Sequence, residues 1–554
     1  MFKKCLLYIS LVAVFSGCGI SKSVNHKPET AQYVQTIPVV TKHSPTTFTS
    51  GDNFFFKNTD NNMWEMYVDG DALQRGLIMG AMADSLVKRQ ETVFFDKISQ
   101  IVPSKFKQRL LRQFLKIYNR QLYQHVTNEY KTEIYGVSRY ASDGFDFVAP
   151  KYLRTLYLHG AHDIGHALTD LSLVGCTSFA VWGDKTDDGS LLIGRNLDFY
   201  AGDKFAEDKI VYFMRPEKGH PFMSVSWPGM SGVVSGMNLE GLTVTINAGK
   251  STIPWVAKTP ISILAREILQ YAGNIEEAIT IAKSRRVFVS ESIMIGSAAD
   301  KKAILIEVSP KHFGVYEVPN SSELVCSNHF QSDTYKDDKN NNKHIVESHS
   351  QYRFDRMTEL LDDEKKVSPK DAVDILRNTK GLNDDPLGYG NEKALNQLLA
   401  HHAIVFKPEQ RLVWISANPY QLGEFVCYDL NKVFEKKIEQ RKLVTMAETH
   451  KNIAKDPFLE TEAYRNYERY RIETKVVDKA IEEKSDLTDE YLTAYQQLNP
   501  NYWEVYYKSG LYYQQKKEYQ KALDCYANAL TKEITTLPEK EEVEKQLKKM
   551  KRKV

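Results

Sequence analysis

The chain changes period at residue 176, from helical spacing to short strand-like runs, and that change limits the folds open to it. Upstream, apolar residues recur at three and four spacing through Ala81–Val87 and Phe106–Tyr118, and a further helical stretch, Tyr152–Leu171, runs up to Cys176. Downstream, Thr177–Trp182 and Leu191–Leu197 are short β-compatible runs about the polar turn 183–190, which predicts a hairpin. Strands are predicted at Ile210–Arg215, Met223–Trp227, Gly232–Met237 and Leu242–Asn247, then helices at Pro260–Ala272 and Ile275–Ser284. Further strands fall at Ser292–Gly296, Ala303–Val308, Phe313–Val318 and Leu324–Ser327. Helices around Tyr352–Leu361 and Pro369–Arg377 precede strands Ala403–Lys407 and Arg411–Ala417. Strand runs on both sides of paired helices predict a layered α+β core.

A chain of 554 residues exceeds one ordinary core, so two or three compact units are expected. The divisions are a leader (1–18), a polar tether (19–50), a helical segment (51–175), the layered core (176–440) and a helical tail (441–554). With 42% hydrophobic and 26% charged residues and a net charge of +2, nothing calls for nucleic acid as a partner. The Lys-rich run Lys548–Lys553 reads as a solvated terminus.

The leader combines Lys3 and Lys4, an apolar run from Leu6 to Phe15, and Ser16-Gly17-Cys18 before a polar stretch. It is too short to span a bilayer. It resembles a bacterial lipoprotein signal, in which the Cys becomes the lipidated N-terminus, with Phe15 in place of the usual aliphatic residue. That resemblance implies export and a lipid anchor at Cys18, hence a cell-envelope location, periplasmic or at the cell surface.

Six cysteines occur: Cys5, Cys18, Cys176, Cys326, Cys427 and Cys525. Outside the leader, four widely scattered ones make neither a disulfide framework nor a zinc pattern, although a single bridge is conceivable in an exported protein. His162 and His166 stand at i and i+4 without a carboxylate or third His at metalloprotease spacing, so they read as helix packing, as does His401-His402. No metal or organic cofactor is called for.

Cys176 is the cysteine whose surroundings suggest chemistry. A thiol needs a cation or base beside it to become a strong nucleophile. If the Gly175-Cys176 bond breaks, the new α-amine, with a pKa of roughly 7.7 to 8, is a base beside its own sulfur. Gly175, having no Cβ, lets the sulfur approach its carbonyl. Asp198 can return beside Cys176 across a hairpin, where it would hold the α-ammonium or orient the amine. Arg195, three residues earlier, leaves the opposite face of an ideal strand unless a bulge intervenes. Asn247, at the end of Leu242-Thr243-Val244-Thr245-Ile246, is an amide able to donate to an oxyanion, and such a donor is commonly worth about 2.7 to 4 kcal/mol. Asn328 is a second polar contact for a substrate carbonyl.

The blocks Gly175–Ala180 and Gly194–Phe199 resemble the start of the catalytic chain in N-terminal nucleophile (Ntn) hydrolases, in particular the acyl-coenzyme A:6-aminopenicillanate acyltransferase family and the related choloylglycine hydrolase/penicillin V acylase family. Gly236–Leu242 leading to Asn247, Cys326–His329 and Ser350–Arg353 agree in order, and Gly70–Gly76 resembles the acyltransferase pro-segment. The resemblance spans about residues 60 to 430. It implies a four-layer αββα fold over 176–440, self-scission before Cys176, a thiolate stabilised by Arg195, and a late arginine near the nucleophile at Arg353, for which Arg356 one turn away competes. It further implies a small-molecule N-acyl amide as substrate, a lipid-like acyl group being favoured. Acyl transfer to an amine acceptor, a phospholipase B-like esterase, and a non-enzymatic partner-binding lipoprotein remain alternatives.

In the tail, Gly510, Tyr513, Ala522, Tyr526 and Ala529 fall where a tetratricopeptide helix pair places its small and aromatic packing residues, with Ile534 at the usual proline. One such unit cannot bury its own face, so it must dock on the core or cap another helix, and a protein partner there is an open expectation.

Overall fold

The structure is a computed structural model that describes residues 19–160, 163, 174–199, 202–252, 256–435 and 445–554. Cys18 with the rest of the leader, and His162 and His166, lie outside the described residues.

Two sheets organise the core. The larger, eleven-stranded, runs in order through Thr41–Ser44, Thr47–Ser50, Asn53–Lys57, Trp64–Gly70, Ile210–Pro216, Phe222–Ser226, Ser235–Asn238, Leu242–Ala248, Glu291–Ser297, Lys302–Val308 and Phe313–Tyr316. Its neighbours are antiparallel except for the parallel pair Trp64–Gly70 and Ile210–Pro216. The smaller, six-stranded and antiparallel, runs Glu323–Cys326, Val174–Val181, Leu192–Phe199, His402–Lys407, Leu412–Ser416 and Phe425–Asp429.

Side-chain alternation along the strands sorts the apolar residues into layers. Met223, Met237, Met294 and Leu305 of the large sheet pack with Ala180, Leu324, Ile404 and Ile415 of the small one. Val244, Ile246, Ile293, Ile295, Ile304 and Ile306 turn the other way, onto helices Ile261–Tyr271 and Ile275–Ser284. On the far side, Phe179, Val181, Val405 and Trp414 pack under helices Ser350–Asp363 and Pro369–Leu376. The stack is helix, sheet, sheet, helix, the four-layer αββα arrangement of the Ntn hydrolases.

The N-terminal part departs from the expectation of a tether over 19–50 and a helical segment over 51–175. Helices do occupy Ala72–Met82, Asp84–Ile101, Lys105–Tyr118, Asn128–Ser138 and Lys151–His159. Thr41–Gly70, however, supplies four strands of the large sheet, joined to the rest by the parallel pairing with Ile210–Pro216. Phe55, Trp64, Met66 and Val68 are buried in the core that this sheet shares with its helices.

Helices Ala72–Met82 and Asn128–Ser138 cross at Gly76 and Gly136, where a Cβ on Gly76 would lie 2.0 Å from the Glu133 carbonyl oxygen. That close approach lets Glu133 receive Arg75 Nε at 2.9 Å and Arg266 Nη1 at 3.1 Å from helix Ile261–Tyr271. All three residues are buried. Burial works against the Glu133 charge, but Arg266 and Arg75 outweigh it and hold the carboxyl below its ordinary range. The N-terminal segment is thus locked to the layered core by a shared carboxylate.

The tail comprises helices Glu462–Glu483, Asp489–Leu498, Trp503–Gln515, Tyr519–Ala529 and Leu537–Lys551. Gly510 lies under the Tyr526 ring, and Ala522 and Ala529 are buried in the same cluster. That cluster also takes in Leu398 and Leu422 of the core, with Tyr389 packed against it. The tail grips one core segment in particular. Asn499 Oδ1 accepts from Tyr389 N at 3.0 Å, Asn391 Nδ2 donates to Glu533 O at 2.9 Å, and the Tyr467 hydroxyl lies 3.4 Å from Leu398 O. The dock on the core is how this helical unit covers its apolar face.

Candidate active site

Cys176 is the third residue of the strand Val174–Val181, facing Leu197 across the ladder, and it is buried. The neighbouring strand, Glu323–Cys326, pairs with this one only as far as Ser178. Its ladder ends before Cys176, and a side chain takes the place of the missing strand. Asn328 Oδ1 accepts from Cys176 N at 3.0 Å, while Asn328 Nδ2 donates to Ala248 O at 2.9 Å. Asn328 therefore stands at the nitrogen that would become the α-amine.

Arg353 comes from helix Ser350–Asp363 on the outer face of the small sheet. Its Nη1 donates to Cys176 O at 2.7 Å and to Thr177 Oγ1, and its Nη2 donates to Asn328 Oδ1. Arg356 turns to Glu359 and Asp384 instead, so of the two arginines Arg353 belongs to the site.

Arg195 approaches from the opposite side, between the sheets. Its Nη2 lies 3.6 Å from Cys176 Sγ and also donates to Ile246 O, while Nη1 bonds Val234 O and Ser235 Oγ. Behind it runs a chain that neither composition nor spacing announces: His402 Nε2 lies 2.9 Å from Ser235 Oγ and His402 Nδ1 2.8 Å from His401 Nδ1. Burial holds both imidazoles well below their ordinary pKa, and hence neutral, so the histidine pair aims the guanidinium without adding charge. The pair packs as expected, and in doing so it braces Arg195 through Ser235.

Asp198 sits opposite Gly175 in a ladder that runs without a bulge from Val174↔Phe199 to Val181↔Leu192. Arg195 and Asp198 consequently leave opposite faces, the arginine at the sulfur and the carboxylate beside the Gly175-Cys176 peptide. Asp198 is fully buried, and neither of its carboxylate oxygens has a hydrogen-bond partner among the described residues. Burial pushes its carboxyl up to about 7 in spite of the nearby Arg353 and Arg195. Burial likewise raises the Cys176 thiol, and Arg195 only partly offsets it. In the continuous chain the sulfur is a neutral thiol.

The amide of Asn247 is engaged elsewhere than at Cys176. Its Nδ2 donates to Cys326 O at 3.2 Å and Ser327 O at 3.3 Å, and its Oδ1 accepts from Ser178 Oγ at 2.9 Å. It ties the two sheets together beside the site, and donation to an oxyanion would require it to exchange those bonds. Among the described residues the four cysteines are free thiols. No cluster of three metal-ligating side chains occurs among those residues either.

A stability prediction follows from Asp198. Its folded pKa is raised, so the proton it retains stabilises the fold at low pH and that contribution is lost as pH rises from about 4 through about 7. In an uncut Cys176→Ala background, Asp198→Asn is expected to flatten the fall in unfolding free energy between pH 4 and pH 8 by a few kcal/mol, of order 4 at most. Denaturant melts across that range measure it, and parallel curves for the two proteins would remove Asp198 from this account.

A sandwich with a cysteine near the start of an inner strand, held by arginines on both sides, is the arrangement that the resemblance to Ntn hydrolases leads one to expect. The family model described as Acyl-coenzyme A:6-aminopenicillanic acid acyl-transferase matches residues 184–419, so this stretch of the chain is similar to that family. The match takes in Arg195, Asp198, Asn247, Asn328 and Arg353 and begins beyond Cys176.

An uncharacterized protein of Archaeoglobus fulgidus is 25% identical over 298 residues, 49% of this chain and 48% of the relative, so the chain spans about half the length of the curated relative it matches. Among solved structures, a Caenorhabditis elegans N-acylethanolamine-hydrolyzing acid amidase ortholog aligns with 18% identity and a TM-score of 0.31, covering 42% of this chain and 93% of that one. A mutant of a conjugated bile acid hydrolase from Clostridium perfringens aligns with 15% identity and a TM-score of 0.32, covering 48% of this chain and 95% of that one.

Proposed function

We propose that this chain is a self-processing cysteine amidohydrolase that cleaves linear N-acyl amides through a thioester. The observation that carries the reading is the hold on Cys176: its N–H on Asn328, its carbonyl on Arg353 and its sulfur 3.6 Å from the Arg195 guanidinium. A buried structural cysteine needs its backbone groups paired, but it needs neither a buried guanidinium at its sulfur nor an Arg and an Asn side chain in place of a neighbouring strand.

In maturation, Cys176 Sγ attacks the Gly175 carbonyl, the acyl group shifts from nitrogen to sulfur, and water releases it. The nitrogen that Asn328 already orients becomes a free amine. In turnover this amine takes the thiol proton, Arg195 stabilises the thiolate, and the thiolate attacks the substrate carbonyl. The protonated amine then passes its proton to the departing amine, and water opens the thioester.

A lipid-like acyl group is supported by a mostly apolar pocket lined by Val87, Phe94, Leu158, Phe199, Phe205 and Trp227. Phe199 is two residues past Leu197, the cross-strand partner of Cys176, and both Phe199 and Trp227 pack on the cluster that contains Cys176. Each methylene buried there is worth about 0.8 kcal/mol, so kcat/KM for N-acyl amides should rise about 10²-fold between butanoyl and octanoyl chains. Equal rates for the two chain lengths would rule the acyl assignment out. The matched family's description favours a second reading, transfer of the acyl group to an amine acceptor, and the ratio of free acid to new amide with and without added amine separates the two. A paired ester of the same acyl chain tests the phospholipase-like alternative in the same assay.

We further place the protein on a membrane through a lipid at Cys18. Among the described residues no helix is long and apolar enough to cross a bilayer. Gly19, next to the anchor, lies by Arg120 just past helix Lys105–Tyr118, whose Phe106, Leu110, Phe114 and Ile117 are exposed between Lys105, Lys107, Arg109, Arg112 and Lys116. That pattern suits the surface of an anionic membrane. A protein partner would meet the outer face of the tail, where Ile472 and Val476 are exposed.

A further inference from the structure

Gln397 is 2% exposed, and its Nε2 has no hydrogen-bond partner among the described residues. A buried amide donor left without an acceptor costs about 1–3 kcal/mol, and such a group calls for an explanation. Its location supplies one. A Cβ built on Gly175 would lie 2.8 Å from Gln397 Nε2 and 3.1 Å from Oε1, so the amide occupies the space that the absent side chain leaves beside the scissile peptide.

The backbone that presents Gln397 is held from several sides. Asn196 Nδ2, on the strand facing Cys176, donates to Leu395 O at 2.8 Å, and Asn396 Oδ1 accepts from Leu398 N at 3.1 Å. Leu398 has φ of 54°, a left-handed conformation that a bulky residue adopts at a cost of order 1–3 kcal/mol and keeps only where its surroundings impose it. Here the tail does so, burying the Leu398 side chain in its own core.

Faces of the strand decide what the amide can do. Successive residues point to opposite sides, so Cys176 directs its sulfur between the sheets, toward Arg195, while the Gly175 face carrying Gln397 is the other one. When Sγ adds to the Gly175 carbonyl carbon from its side, the carbon becomes tetrahedral and the oxygen swings away from the sulfur, toward the amide. Asn247, the donor expected from its position in the sequence, has its Nδ2 committed to Cys326 O and Ser327 O.

We propose that Gln397 is the oxyanion donor of self-scission, its Nε2 hydrogen-bonding the Gly175 oxygen as that atom becomes anionic. The inference rests on the self-processing reading above. In the step it serves, the Sγ–C bond forms, the C–N bond of the peptide breaks, and the thiol proton ends on the Cys176 nitrogen. Water then adds to the thioester, leaving a Gly175 carboxylate and a free thiol.

The test is Gln397→Met in the full chain, which keeps the volume and removes the donor, followed by denaturing electrophoresis after a synthesis pulse. Scission is expected to slow about 10²–10³-fold. Melting of Cys176→Ala with and without Gln397→Met should coincide within a few degrees, showing that the loss is chemical. Hydroxylamine, which opens thioesters, should leave the Gln397→Met chain uncut. Scission at the parental rate, or hydroxylamine-induced cutting that reveals a thioester formed without the amide, overturns the proposal. Should Gln397→Met fail to fold, Gln397→Asn, whose amide is withdrawn by one methylene, takes its place: slow scission supports the role and parental scission ends it. A parent chain that never cuts would instead overturn the self-processing reading itself.

Discussion

Cys176→Ala is expected to migrate as one polypeptide under denaturing conditions, whereas the parent separates into two fragments, one ending at Gly175 and one beginning with Cys176. Amidase activity should fall by at least about 10³-fold, the scale set by removing a nucleophile from a site that otherwise stays assembled. The fold should survive, because Ala fills part of the same space and the Asn328 and Arg353 bonds are made to the Cys176 backbone. Intact mass of both proteins settles the matter. A fully active parent with the Gly175-Cys176 peptide unbroken would contradict the proposed mechanism, since no α-amine would exist to take the thiol proton.

The second large effect is expected from Arg353→Leu. Its guanidinium serves Cys176 O, Thr177 Oγ1 and Asn328 Oδ1, all buried, and an unpaired buried acceptor costs about 1–3 kcal/mol. Losing the set should destabilise the uncut protein by about 3 kcal/mol or more and leave the precursor unprocessed. Arg356→Leu on the same helix, whose partners are Glu359 and Asp384, should still process. Equal processing by the two variants would show that the arginine grip does not organise the site.

Much of this was legible in local signals. The polar turn 183–190 predicts the hairpin that brings Leu197 opposite Cys176, and the alternation in Leu242–Ile246 separates the residues facing the helices from Asn247. The spacing of Arg195 and Asp198 foretells opposite faces, and an unbroken ladder keeps them there. The strands of Thr41–Gly70 were not legible. Phe54-Phe55-Phe56 and Trp64–Val68 are buried on both faces, so their alternation disappears, and the pairing that makes Trp64–Gly70 a strand lies with Ile210–Pro216, far along the chain. Roles resting on distant partners were equally hidden. Asn328 looks like a turn residue until the strand before it ends short of Cys176, and Gln397 in Asn396-Gln397-Leu398 carries no motif at all.

The four N-terminal strands give scission an unusual outcome. The shorter product would keep Trp64–Gly70 inside the large sheet, with Glu65 accepting from the Tyr428 hydroxyl at 3.1 Å and from Met446 N at 2.8 Å, both on the longer product. On the proposed self-processing, it would stay as a subunit and not be shed as a cap. Once the bond is gone, unfolding releases two molecules that must find one another to recover the fold, so a protein that assembled in a first-order reaction acquires a concentration-dependent return. Synthesis as one polypeptide provides the only pairing of the halves that needs no encounter.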